Sequence, residues 1–463
     1  MTLCKLLISS VLFCFILPLH AQLSLEQQQA IDAVFSNWNR TDSPGCALAI
    51  VQDGQIIYKK GYGMADLEHH IAIQPNTVFY AGSVSKQFVA MSILLLAEAG
   101  KLSLDDAVHQ YVPELPDYNK VITIRHLLHH TSGLRDYLAL IELSGRSYLD
   151  YVNKQAALDL IFRQKGLNFN PGEQYAYSNS GYLLLATIVE RLSGMSFRQF
   201  TQEHIFKPLG MNHSFFNDYL YELVNNRAFS YQRKAQGGFE PLFMRFALVG
   251  SGGLYTTVED LFKWDQNYYH NRLGKQQQSL IDTMLTDGKL NNGASAGYAF
   301  ALVNGQYRGL ATVGHTGSLA GYRAYYVRFP AQRFSIIILG NAAEFTPTTF
   351  AYKIADILLE SHFTEAASAL ISSALETKQH AFTEQDLQEF PGRYYSEELD
   401  VFYNIIRKND ELYVQSGWQT PVSLRTLVQN EGFGLTPVRN RKGKITELLL
   451  QSRLIYAIKL VKM

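Results

Sequence analysis

The chain has 463 residues, too many for one ordinary domain and comfortable for one large and one small. Its 47% hydrophobic and 18% charged content describes a globular protein with a sizeable core. Lys plus Arg balances Asp plus Glu at 41 each, so no global field favours nucleic acid or an anionic membrane.

The first 21 residues read as a cleaved signal peptide. Lys5 supplies a short positive region, residues 6–19 are apolar, and His20-Ala21-Gln22 offers a small residue at the cleavage point. The apolar run is short and a polar helix start follows it, which argues against an anchor. Phe13 before Cys14 argues against a lipoprotein site. Cys4 and Cys14 leave with this segment, so the exported chain keeps Cys46 as a core thiol and forms no internal disulfide. The expected location is periplasmic or secreted, and no later segment has the length and apolarity to span a membrane.

Ser24-Leu25-Glu26-Gln27 predicts a capping box opening a helix to about residue 39. Alternating runs at 46–51 and 56–60, joined by Asp53-Gly54, predict a β-hairpin. Next, Val78-Phe79-Tyr80-Ala81-Gly82-Ser83-Val84-Ser85-Lys86 leads into a helix over 87–100 that is apolar nearly all round and therefore central and dry. The spacing places Ser83 and Lys86 on one face of the helix start, close enough to share a proton. A serine needs such a neighbouring base to act as a nucleophile, and a lysine serves only where its pKa is depressed.

The stretch 124–134 is dense in histidine. His126 and His130 at i,i+4 raise a metal site, but no His-Glu-x-x-His motif or nearby carboxylate accompanies them, and a short helix with a capped turn is the favoured reading. A helix over 147–164 ends in a polar loop at 168–172. Tyr177 and Asn179 then stand two apart on a turn before an apolar helix over 182–192. They point polar tips into one cavity, or else pack and cap that helix. A helix beginning near Ser196 precedes a polar, aromatic-rich excursion over 212–242. Gly250-Ser251-Gly252-Gly253-Leu254-Tyr255 lacks any phosphate-loop or dinucleotide pattern and reads as tight backbone packing.

An apolar strand near 310–313 delivers His315-Thr316-Gly317-Ser318. There Gly317 permits close approach, and backbone N–H groups can meet a carbonyl oxygen. Strands at 323–329 and 334–339 and a helix over 346–360 complete the main body, 22–361. Residues 362–382 read as a linker. From 383 to 463 short alternating strands predict a small all-β module of the barrel or lipocalin-like kind.

Ser-x-x-Lys, Tyr-x-Asn and His-Thr-Gly in that order form a constellation far more specific than any one of them. On these motifs, and over residues 27–360, the sequence resembles the serine β-lactamase and penicillin-binding protein superfamily. It is most similar to the class C branch with its DD-peptidase, D-aminopeptidase and esterase relatives. The resemblance implies an antiparallel sheet flanked by helices and joined to an all-helical region, with the cleft between. It implies Ser83 as the acylated nucleophile, Lys86 as proton acceptor, Tyr177 in the proton relay, Asn179 on the substrate amide, and His315, Thr316 and Gly317 as the substrate-facing edge. The backbone N–H groups of Ser83 and Ser318 would form the oxyanion hole. No metal or cofactor is implied. The expected substrate is a small molecule or peptide: a D-amino-acid peptide, an ester or a β-lactam. One departure is His315, where many class C β-lactamases carry lysine. A histidine there would be a weaker, pH-dependent cation, favouring peptidase or esterase activity over efficient β-lactam hydrolysis. The alternatives are a β-lactamase proper and a penicillin- or peptidoglycan-binding protein without turnover.

Overall fold

The computed structural model describes residues 23–364 and 384–463, apart from Trp418 and Arg453. The expected signal peptide and residues 365–382 of the expected linker lie outside the described residues.

Ser24 caps helix α1 (Leu25–Val34) through the expected reciprocal bonds with Gln27. The helix stops short of residue 39 at Phe35, whose ring stacks on Tyr62 with centroids 4.5 Å apart. The main sheet is built from β1 (Cys46–Gln52), β2 (Gln55–Tyr62), β3 (Val303–Tyr307), β4 (Leu310–Leu319), β5 (Tyr322–Phe329) and β6 (Phe334–Gly340). All neighbours are antiparallel, in the order β3-β4-β5-β6-β1-β2. The β1–β2 hairpin turns at Asp53 and Gly54, both at positive φ, as a tight two-residue turn demands.

Both faces of this sheet are buried, so its central strands read as continuous apolar runs. Cys46, Leu48 and Ile50 pack with Ile31 and Ile354 under the helices at the chain ends of this body. Ala47, Ala49 and Val51 face the opposite way, with Leu261 and Trp264. Cys46 is a buried free thiol whose pKa burial pushes up.

Three further helices matter to the site, α2 (Lys86–Glu98), α3 (Tyr137–Leu143) and α4 (Asn179–Ser193), while α5 (Pro347–Leu358) covers the other face of the sheet beside α1. Ten of the thirteen residues of α2 are buried, as its all-round apolarity predicts. The expected helix over 147–164 is shorter, Lys154–Phe162, with Asn153 accepting from the Ala156 amide as its cap. The helix α3 was not evident in the sequence.

The C-terminal strands are β7 (Gly392–Ser396), β8 (Val401–Lys408), β9 (Glu411–Ser416), β10 (Val422–Ser423), β11 (Gly434–Arg439), β12 (Ile445–Ser452) and β13 (Ile455–Lys462). Their order is β10-β9-β8-β7-β13-β12-β11, a curled antiparallel sheet that makes a half-barrel. It is not purely β: the sequence 424–431, whose end reads as a turn, forms a helix closed by Gly432 in the left-handed conformation. The half-barrel is not empty. Leu140 and Leu143 of α3 lie in its core with Tyr394, Tyr403 and Leu448.

Candidate active site

Ser83 lies on a 3-10 turn (Gly82–Ser85) rather than inside the helix, and Lys86 is the first residue of α2. Gly82 holds φ +54°, which lets the turn form without strain. Ser85 tightens it by donating to the Gly82 carbonyl at 2.5 Å and accepting from the Leu254 amide at 3.1 Å. The half-buried Ser83 Oγ receives two donors: Lys86 Nζ at 3.1 Å and the Tyr177 hydroxyl at 2.8 Å.

Lys86 is fully buried. Its Nζ also donates to Asn179 Oδ1 at 2.8 Å and to the Ser251 carbonyl at 2.6 Å, so three acceptors surround the amine. Burial pulls its pKa down to about 7, against an opposing pull from Asp136. An amine so placed reaches its neutral, basic form near neutrality. Tyr177 is pushed the other way, well above the usual phenol range by burial, so it stays a proton-bearing phenol.

Asn179 does not cap its helix. It is the first residue of α4, and its side chain turns to Lys86 while Ser178 occupies the cap position. Tyr177 and Asn179 meet through the same pair of residues, the first on Ser83 Oγ and the second on Lys86 Nζ.

Strand β4 pairs with β3 only as far as Gly314. From His315 to Leu319 it has β5 on one side and the Ser83 turn on the other. A Cβ on Gly317 would stand 2.0 Å from the Ala81 carbonyl oxygen and 3.2 Å from the Ser83 amide nitrogen. A Cβ on Gly82 would stand 2.5 Å from the Ser318 amide nitrogen. Glycine at both positions lets the Ser83 turn and the Ser318 stretch of β4 approach backbone to backbone, beside the Ser83 and Ser318 amides.

His315 differs from its expected cationic role. It is 5% exposed, its Nδ1 lies 2.6 Å from the Thr316 carbonyl oxygen and its Nε2 2.8 Å from the Tyr298 hydroxyl. Burial, then Lys86, lower its pKa to about 4, so the ring is neutral at physiological pH. Thr316 is exposed on the opposite face of the strand, and its carbonyl anchors His315.

His126, His129 and His130 of the histidine-dense stretch each have a structural hydrogen-bond partner. His126 Nδ1 accepts from the Thr123 amide in a capping box. His130 accepts from the Ser178 amide through Nδ1 at 3.1 Å, and its ring packs 4.3 Å from that of Tyr177. Among the described residues no cluster of metal-ligating side chains forms.

Three contributors had no sequence signal strong enough to find them. Ser251 offers a backbone carbonyl, which is independent of residue type. Tyr298 reaches His315 from outside every motif. Asp136 is 1% exposed, and its Oδ2 accepts from the Asn179 amide at 2.6 Å. A cleft of about 260 Å³ continues from Asn179 and Ser318, with Asp136, Tyr148 and Arg323 on its wall. Leu454, from the β12–β13 turn of the half-barrel, lines it too.

Comparison with known proteins places this geometry. The beta-lactamase family model matches residues 28–358. Penicillin-binding protein 4* of Bacillus subtilis is 33% identical over 318 residues, 65% of this chain and 69% of that one. A D-aminopeptidase of Gluconobacter oxydans is 28% identical over 302 residues, 65% of this chain but 56% of the relative's length. Among solved structures, the octameric penicillin-binding protein homologue from Pyrococcus abyssi aligns with a TM-score of 0.64 at 24% identity, covering 94% of this chain and 99% of that one. The D-amino acid amidase from Ochrobactrum anthropi aligns at 0.62 and 21% identity, covering 73% and 99%. The first of these likenesses extends over the half-barrel, the second over the main body's share of the chain. With the family model covering most of its length, the chain belongs to the beta-lactamase family and is a serine hydrolase.

Proposed function

We propose that Ser83 is the nucleophile of an exported acyl-enzyme hydrolase acting on peptide, amide or ester bonds of D-amino-acid substrates, as a DD-carboxypeptidase- or D-aminopeptidase-like enzyme or an esterase. The observation that carries the reading is the pair of donors on Ser83 Oγ, Lys86 Nζ at 3.1 Å and the Tyr177 hydroxyl at 2.8 Å. Neutral Lys86 takes the Ser83 proton as Oγ bonds to the substrate carbonyl carbon. The carbonyl oxygen becomes an oxyanion held by the amides of Ser83 and Ser318. When the tetrahedral intermediate collapses, the bond to the leaving amine or alcohol breaks. Tyr177 gives that group its proton and recovers one from Lys86. Water then attacks the ester carbon by the same route, releasing the acid and restoring Ser83. Asn179 holds the substrate amide, and the edge from His315 to Ser318 lies along the substrate.

The substrate class is drawn from the relatives named D-aminopeptidase and D-amino acid amidase, together with the neutral His315 in place of a fixed cation. The export reading rests on residues 1–21, and the mature N-terminus is expected at Gln22. The test is covalent labelling of the mature protein by a fluorophosphonate and by a fluorescent penicillin, with Ser83→Ala as control. A panel of D-amino-acid amides, D-Ala-D-Ala peptides, short esters and nitrocefin accompanies it. Labelling should vanish in Ser83→Ala, and D-amino-acid amides or esters should turn over faster than nitrocefin. Labelling that persists in Ser83→Ala rejects the nucleophile. Labelling without turnover of any panel member marks a binding protein instead.

A further inference from the structure

We propose that Asp136 is a positioning residue of the acylation machinery, through which the C-terminal half-barrel holds Asn179 and Lys86 in place. The proposal rests on reading Ser83 and Lys86 as nucleophile and base.

Asp136 ties two helix starts together. Its Oδ1 accepts from the Leu138 and Ala139 amides at 3.0 and 3.1 Å, capping α3. Its Oδ2 accepts from the Asn179 amide at 2.6 Å, the first residue of α4. Asn179 in turn accepts from Lys86. Any shift of α3 therefore moves the residue that orients the lysine.

What keeps α3 in place comes from the other end of the chain. A seven-residue helix has no stability of its own and takes it from packing. Leu140 is fully buried, and it packs with Leu143 inside the half-barrel core. The Tyr403 hydroxyl donates to the Leu143 carbonyl at the far end of α3. On the near side, Arg135 makes a buried ion pair with Glu398 and donates to the carbonyls of Tyr456 and Ala457 at 3.1 and 3.3 Å. The half-barrel thus grips both flanks of Asp136.

Charge gives Asp136 a second effect. The charged and titratable groups around Lys86 are Asp136, His130, His315 and the rings of Tyr177 and Tyr182. Burial keeps both histidines neutral, Tyr177 and Tyr182 stay protonated, and Arg135 is paired with Glu398. Asp136 is left as the group that draws a proton toward Lys86. Burial pushes its own carboxyl up, while the donor amides and Lys86 pull it back toward the ionised form.

The experiment is the rate of fluorophosphonate labelling of the full chain from pH 5 to 10. In the wild type the rate should rise through an apparent pKa near that of Lys86, about 7. Asp136→Asn should lower the plateau on the order of tenfold or more. It should also move the midpoint down by about one pH unit. A lower plateau with an unmoved midpoint overturns the proposal, because lost structure alone does that. Leu140→Ala, inside the half-barrel core and away from the cleft, should lower the plateau several-fold with the midpoint in place. A folded Leu140→Ala protein labelled at the wild-type rate overturns the half-barrel's part, and this arm stands even if Asp136→Asn does not fold. Failure of the underlying reading is distinct, since it shows as labelling retained in Ser83→Ala.

Discussion

Tyr298 and His315 share a 2.8 Å hydrogen bond between hydroxyl and Nε2, and the other ring nitrogen of His315 faces a carbonyl oxygen 2.6 Å away. A carbonyl only accepts, so Nδ1 carries the proton and Nε2 takes the one from Tyr298. Both nitrogens are engaged in the neutral ring, and protonating Nε2 would make the Tyr298 hydroxyl give up its donation and turn to accept, with a charge left in a buried site.

His315 is therefore expected to stay neutral from pH 5.5 upward. Its folded pKa of about 4 lies below the ordinary 6.5, so the fold favours the neutral form. The stability this adds is present above pH 6.5 and is lost as pH falls toward 4, on the order of 3 kcal/mol in all. Imidazole NMR should show no titration of this ring between pH 5.5 and 9. Carboxylate and ester substrates should then share one pH profile in that range, apart from Lys86. A His315 midpoint near 6.5 contradicts this account.

Lys86 and Tyr177 should behave as one unit, because both donate to the same Ser83 Oγ. Lys86→Met and Tyr177→Phe are each expected to slow acylation by about 10²–10⁴-fold, the usual worth of a positioned proton-transfer group. The double variant should be little worse than either. Additive losses in a double-mutant cycle would assign them separate roles.

Gly317→Ala should be far more damaging than its single methyl implies. The added Cβ has 2.0 Å to the Ala81 carbonyl, so strand β4 and the Ser83 turn must separate. Losing one oxyanion donor costs roughly 10²–10³ in rate. The same substitution at Gly443, where nothing lies within 4 Å but φ is +77°, should touch stability and spare acylation. Rates of fluorophosphonate labelling separate the two, and near-wild-type labelling of Gly317→Ala would remove the oxyanion argument.

The sequence shows local chemistry and conceals what distant segments bring together. The i,i+3 spacing of Ser83 and Lys86 and the apolar α2 were legible because helix periodicity is local. The hairpin at Asp53-Gly54 was legible because the turn residues state their φ. The charge at His315 was not, since a strand-end histidine looks alike whether a tyrosine hydroxyl or solvent meets it. Asp136 also escaped notice: its three amide donors include one 43 residues away, and α3 draws its stability from leucine packing some 250 residues downstream.

Arg323 takes up the question of charge in the cleft. It sits on the wall opposite Ser318 in the β4–β5 register, half-buried, with Nη1 donating to the carbonyls of Ala320 and Tyr322 at 2.7 and 2.8 Å. Glu344 lies near enough to act on its charge, yet the guanidinium remains a cation that does not titrate, so a substrate carboxylate in the cleft has a partner there. Arg323→Gln should lower kcat/KM for an acidic D-peptide by roughly tenfold or more and leave its C-terminal amide unchanged. Equal losses for both substrates would make the residue structural.

The remaining prediction concerns the half-barrel, which the polar composition of 362–382 marks as a separable appendage. Packing argues otherwise. Leu140 is fully buried and Leu143 is 8% exposed, both in a core otherwise supplied by residues 390–460. Removing the chain after residue 364 uncovers both leucines, at about 1.5–3 kcal/mol each. It also takes away Glu398, the partner of Arg135, and leaves α3 with no packing on that side. The truncated protein should melt several degrees below the full chain and label slowly with fluorophosphonate even where the main body stays folded. Thermal melts and labelling rates on the two proteins, at equal concentration, check both statements. A truncation product that melts with the full chain and labels at the same rate would show that α3 stands without the half-barrel.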